Sequence, residues 1–201
     1  MEIQQFLNNL SSDTPTPGGG CASALAGALS ASLILMVAGL SSKKGQPENR
    51  EMKAIKKRAL AIRQKLHRAI EEDAQSFDSV MKAFRLPKDN EKERLYRSRM
   101  IQKAYQMATV TPQKVCELSV QLLEFSKFLL EKGNQNAFSD TGVAAYLANA
   151  ALEGGMLNIR INLGAIKGEL FKKGKERLIR RLLQKRDRLM REIQEKIESY
   201  C

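Results

Sequence analysis

Residues 21–40, CASALAGALSASLILMVAGL, carry no charged side chain, and more than half of them are Ala, Gly or Ser. Twenty uncharged residues are long enough to cross a bilayer as a helix. A stretch so rich in small residues also suits a core helix that lets neighbouring backbones approach closely. The second reading is preferred, and no membrane association is expected. The preceding residues 1–20 contain Glu2 and Asp13 and no Lys or Arg, so they lack the basic head of a signal peptide.

Around this segment the pattern is helical. Thr14-Pro-Thr-Pro-Gly-Gly-Gly20 must turn, after a short amphipathic lead of Ile3, Phe6, Leu7 and Leu10. From 48 to 86 apolar side chains recur at 52, 55, 59, 62, 66, 70, 77, 80 and 84, mainly at steps of three and four. Pro87 ends that helix, and Asn90 with Glu93 can cap the next. Thr111-Pro112 breaks and restarts the chain, with Pro at the first helical position. Val115, Leu118, Leu122, Phe125 and Leu129 form a stripe ended by Gly133, and Ser139 is the expected N-cap of a helix through Leu157. A basic helix follows at about 176–199. No convincing strand is read. The expectation is one all-α domain over 1–201, an up-and-down bundle of five to six helices with the small-residue helix at its centre.

Charge narrows the partners. The net charge of +12 is concentrated: residues 43–68 hold ten basic and two acidic side chains, and residues 167–201 hold twelve and six. Such a field attracts polyanions, whether nucleic acid, a lipid surface or a small substrate with several carboxylates. Three scattered cysteines form neither a disulfide framework nor a metal cluster, and a reducing cytoplasm is their simplest setting. The single histidine, His67, lies off the apolar stripe among Lys65 and Arg68. Nucleophile–histidine pairs and histidine-built metal sites are therefore disfavoured.

Four features can carry chemistry. Asp73 interrupts the apolar stripe between Ile70 and Phe77, where a carboxylate is either paired or shifted in pKa. It is a candidate acid or base, or equally an ion-paired structural residue. Asp140 follows Ser139 at a helix start, where an acid also offsets the helix dipole. It shares a face with Asn158 and Asn162, with Ala144, Ala151 and Gly154 between them. That face is either the wall of a polar groove or a helix–helix contact. Gly18-Gly19-Gly20 can turn backbone N–H groups toward an anion or permit close packing, but it lacks the context of a Walker loop. Lys43 and Lys44 follow the first long helix.

Taken together, residues 14–40 and the stretch GNQNAFSDTGVAAYLANAALEGGMLNIRINL at 133–163 resemble the two signatures of the formiminotetrahydrofolate cyclodeaminase and methenyltetrahydrofolate cyclohydrolase family. EEDAQSFDSVMKAFRLPK at 71–88 fits in register between them. The resemblance implies an all-helical, usually dimeric enzyme without metal or redox cofactor, acting on one-carbon derivatives of tetrahydrofolate. By the same resemblance, Pro17, Gly18, Gly19 and Gly20 form its glycine turn, and Asp140 is the carboxylate that moves the proton. Asp73 becomes the partner of Asp140 or a holder of the pterin. Asn158 and Asn162 would bond the pterin edge, and Lys43 or Lys44 would meet the glutamate tail, single or extended. The motif's usual Gly-Lys-Lys here reads Ser42-Lys43-Lys44-Gly45, which leaves open which lysine takes the family position. Two other readings compete. A non-catalytic basic module for nucleic acid would fit the charge but lacks stacking aromatics and a known motif. A scaffold that has lost activity would fit less well with intact signatures.

Overall fold

The computed structural model describes residues 2–42 and 50–200. They form seven α-helices: α1 (Ile3–Leu10), α2 (Gly19–Leu40), α3 (Arg50–Phe84), α4 (Glu91–Ala108), α5 (Val110–Lys132), α6 (Phe138–Gly164) and α7 (Glu169–Glu198). A 3₁₀ turn over Gln135–Ala137 leads into α6, and there is no strand among the described residues. Leaving aside the two-turn α1, six long helices match the expected class.

α2 packs on α3, α5 and α6, and its small residues set the spacing. Ser30 Oγ donates to the Ala144 carbonyl at 2.7 Å. Gly27 faces Ala151 and the Leu66 side chain, and any Cβ on Gly154 would strike the Ser23 hydroxyl. Contacts that run from Ser23–Gly154 to Ser30–Ala144 make α2 and α6 antiparallel. The small face of α6 is thus a helix–helix contact over most of its length, one of the two alternatives left open by the sequence. By length and composition α2 could span a membrane, but half of its apolar window is buried inside the bundle.

The stripe on α3 is buried through Met52, Ile55, Ala59, Ile62, Leu66 and Ile70. α5 packs between α6 and α7. Ile179, Leu182, Leu189 and Ile193 of α7 are buried, and Lys127–Glu192 and Lys185–Glu124 pair α5 with α7 at 2.8 and 2.6 Å.

Three boundaries differ from the sequence reading. α7 begins at Glu169 and runs through Gly174, because an interior glycine costs a helix only about 1 kcal/mol. α5 begins at Val110, so Pro112 sits at the third helical position, still within the turn whose N–H groups need no helical partner. α6 begins at Phe138, with Ser139 inside its first turn. Asn134 starts the turn early by accepting from the Asn136 N–H at 3.0 Å. The expected cap at Asn90 is present, since its side chain accepts from the Glu93 N–H at 2.9 Å.

Candidate functional site

The glycine turn faces an anion, and that anion is the protein's own. Gly18 caps α2, and the Asp73 carboxylate lies so close to Gly20 that an added Cβ would overlap both its oxygens. The Cys21 backbone N–H bonds the same carboxylate, and the Cys21 thiol lies 3.5 Å from Asp73 Oδ2 and 3.2 Å from the Ile70 carbonyl. Asp73 therefore sits at the positive end of a helix, where a carboxylate is favoured.

Burial works against that preference. Desolvation pushes the Asp73 carboxyl above its ordinary range, opposed by the bonds from the Cys21 thiol and N–H. Cys21 is fully buried, and its thiol is pushed up to about 11, so at neutral pH it keeps its proton and donates. A carboxylate whose pKa burial raises is a stronger base than a solvated one, so it can both accept and return a proton.

Asp73 opens into a cavity of about 330 Å³ between α3, α4 and α6, within the range of small-molecule sites. Phe77, Val80, Phe84 and Tyr105 supply apolar walls, while Asp73, Ser76, Asn158 and Asn162 supply polar groups. Phe84 and Tyr105 meet edge to face, with centroids 6.2 Å apart. Asn158 Nδ2 donates to the Gly154 carbonyl at 2.8 Å, and Asn162 Nδ2 to the Ala108 carbonyl at 3.1 Å. Each amide is thereby anchored, with its oxygen left to accept an N–H from a guest. Gly19 approaches Asn158, since a Cβ there would lie 3.9 Å from Nδ2, and Pro17 precedes it after a cis Thr16–Pro17 bond. The site can hold a flat heterocycle with N–H donors along one edge and a proton-transferring carboxylate beside it.

Asp140 is elsewhere. It lies half-buried in the first turn of α6, and eighteen residues separate it from Asn158, about 27 Å along the helix. The expected pairing of Asp140 with Asp73 is not made within one chain. Near Asp140 is a second cavity of about 530 Å³, lined by Phe138, Ser139, Val143, Tyr146 and Tyr200, with Phe138 and Tyr200 stacked at 3.9 Å. Lys43 and Lys44 lie outside the described residues. Ser41 Oγ accepts from the Asn134 N–H at 2.8 Å, so α2 ends at this same Asp140 end of the bundle.

Sequence reasoning missed Ser76, Phe77, Phe84 and Tyr105. The first three had a usable signal, since steps of three, four and eleven from Asp73 keep them on one face of α3. Tyr105 comes from α4, and nothing in the sequence ties it to that face.

A family model described as formiminotransferase-cyclodeaminase matches residues 2–181. A methenyltetrahydrofolate cyclohydrolase of Methylorubrum extorquens is 34% identical over 199 residues, covering 98% of this chain and 96% of that protein. A formimidoyltransferase-cyclodeaminase of Gallus gallus is 32% identical over 189 residues, but this chain spans only 34% of its length. The crystal structure of a formiminotetrahydrofolate cyclodeaminase from Thermotoga maritima superposes with a TM-score of 0.89 at 28% identity, covering 100% of this chain and 97% of that one.

Proposed function

This chain belongs to the formiminotransferase-cyclodeaminase family, and we propose that it acts on one-carbon units carried by tetrahydrofolate, foremost as a methenyltetrahydrofolate cyclohydrolase. The observation that carries the chemistry is Asp73, a carboxylate raised by burial and seated on the N-terminus of α2 at the floor of a ring-sized cavity. Preference for the cyclohydrolase direction is supported by the full-length likeness to a stand-alone cyclohydrolase. The Thermotoga likeness supports formiminotetrahydrofolate cyclodeaminase as the second reading.

In the cyclohydrolase direction, water adds to the carbon between N5 and N10 of the methenyl cation and gives a proton to Asp73. The hydroxyl proton of the resulting adduct leaves to solvent, the C–N5 bond breaks, and Asp73 returns its proton to N5. The product is 10-formyl-tetrahydrofolate, with one proton released overall. In the cyclodeaminase direction, N10 attacks the carbon of the protonated formimino group, and Asp73 carries the N10 proton to the departing nitrogen, which leaves as ammonia and gives the methenyl cation. The carboxylate also stabilises the amidinium charge common to both routes. The oxygens of Asn158 and Asn162 accept from the pterin edge. Absorbance at the methenyl-tetrahydrofolate band distinguishes the directions. The band is expected to decay faster when the protein meets that compound, whereas its growth from the 5-formimino derivative would establish the deaminase instead. No change with either substrate would end the folate reading.

The working unit is a homodimer in which each copy's Asp140 completes the other's Asp73 cavity. Support comes from an exposed apolar face on α2 and α6, comprising Leu29, Met36, Leu40, Val143, Tyr146, Leu157 and Ile161. Exposed faces of this kind mark association sites. A two-fold axis across the middle of these antiparallel helices would bring opposite ends of the two copies together. Mixing and reassembling inactive Asp73→Asn and Asp140→Asn chains gives a direct check. Half the dimers would be mixed, each with one intact site of two, restoring about a quarter of parental activity. Mixtures as inactive as their components would remove Asp140 from the site. A reducing cytoplasm suits Cys21 and Cys116, both free thiols among the described residues.

A further inference from the structure

Cys21 meets the Asp73 carboxylate twice, through its backbone and through its side chain. Its N–H lies in the first turn of α2, where a helix leaves its donors unpaired, and bonds the carboxylate. Its thiol has one proton but two acceptors on α3, the Ile70 carbonyl at 3.2 Å and Asp73 Oδ2 at 3.5 Å. The Ile70 carbonyl points along α3 toward the turn that carries Asp73, and it keeps a second lone pair beyond the one used within the helix.

A buried group that gains and loses a proton must be satisfied in both states. The Cys21 N–H is fixed and serves only the ionised carboxylate. A thiol that turns about its Cα–Cβ and Cβ–S bonds serves both. We propose that Cys21 is a positioning residue for proton transfer, its thiol turning from Asp73 Oδ2 to the Ile70 carbonyl when the carboxyl takes a proton and back when it gives one up. This rests on the reading of Asp73 as the acid–base group. The thiol keeps its own proton throughout, since burial pushes it up to about 11. The other surroundings of Asp73 do not share the task. α2 carries no charged side chain, α4 brings Tyr105 to the cavity, and α6 brings the neutral Asn158 and Asn162. On α3 itself, Glu72 is held by Lys114 of α5 at 3.1 Å. Both groups that offset the burial of Asp73 belong to Cys21. A thiol is a weak donor, so it steadies the carboxylate without cancelling the basicity that burial confers.

The experiment follows kcat against pH, on whichever of the two folate substrates is turned over, in the parent, Cys21→Ala, Cys21→Ser and Cys116→Ala. Asp73 is titrated in parallel by NMR of ¹³C-labelled aspartate, its signal assigned by its loss in Asp73→Asn. Cys116→Ala is the matched control, because Cys116 is equally buried but donates to the Leu152 carbonyl at 3.4 Å. Cys21→Ala should raise the Asp73 titration and carry the acid limb of kcat to higher pH. On that limb kcat should fall about three- to tenfold, the scale of half to one pKa unit. Cys21→Ser retains a donor, so its limb should lie at or below the parental one, and Cys116→Ala should leave the limb in place. An Asp73 titration unmoved in Cys21→Ala, one moved equally in Cys116→Ala, or a Cys21→Ser limb above the parental one would overturn the proposal. So would a loss of kcat that is uniform across pH, which marks packing alone. A parent inactive on both substrates would strike the folate reading, while a titration that still shifts in Cys21→Ala would leave the hold of the thiol on Asp73 standing.

Discussion

Asp73→Asn is expected to lower kcat by about two to four orders of magnitude, the usual contribution of a positioned acid–base group. Asparagine keeps the shape and can still accept from the Cys21 N–H, so binding of the pterin should change far less than turnover. The parental pH profile should rise through an inflection above the ordinary carboxylate range, because burial raises the Asp73 pKa and the base must be ionised to act. That limb should vanish in the variant. Stability is expected to move the other way. A carboxyl whose folded pKa is raised binds its proton more tightly folded than unfolded, so its contribution declines as pH rises from the unfolded value through the folded one. The neutral amide escapes this decline, and the variant should melt at or above the parental temperature at neutral pH. At pH values below the ordinary carboxylate range the advantage should disappear. A variant with parental kcat and an unaltered pH limb would remove Asp73 from the chemistry.

Gly20→Ala should damage both stability and activity. Its Cβ would overlap the Asp73 carboxylate, and α3 cannot retreat because the stripe through Leu66 and Ile70 is buried behind it. Overpacking of this kind costs about 1–3 kcal/mol. Activity should fall as well, since any relief must swing the carboxylate away from the cavity. Gly19→Ala is the matched control. Its Cβ would lie 3.9 Å from Asn158 Nδ2, an ordinary contact, so its melting temperature should stay near the parent's. If both glycine variants melt alike, the close approach at Gly20 does not constrain the site.

The helices were legible because their apolar spacing is regular: the stripe at 52, 55, 59, 62, 66 and 70 is the buried face of α3. Their ends were less so. Gly174 reads as a break but is tolerated in a helix held by Ile179 and Leu182 further along, and Asn134 moves the start of α6 by a bond that no pattern announces. The site was half legible. Asp73 stood out as a charge on an apolar face, and the glycine run as a place for an anion, yet nothing in the sequence says that each is the other's partner. Asp140, Asn158 and Asn162 do share a helical face, but facing alike says nothing about distance, and a helix of this length carries its two ends into different neighbourhoods. Tyr105 left no trace because its place depends on how α4 folds back on α3.

The grip of α6 on α2 also sets an order of events during synthesis. Ser30 meets Ala144 across 114 positions of sequence, so the most apolar helix is made long before the surface that covers it. At about 5–20 residues per second, α2 waits roughly six to twenty-three seconds for its cover to emerge. During that interval it has the length and composition of a targeting segment. The early arrival of α3, whose buried stripe can shield one side of α2, leaves the other flank exposed until α6 is complete. Nascent chains stalled before residue 144 should accordingly be those most readily captured by chaperones or by the membrane-insertion machinery.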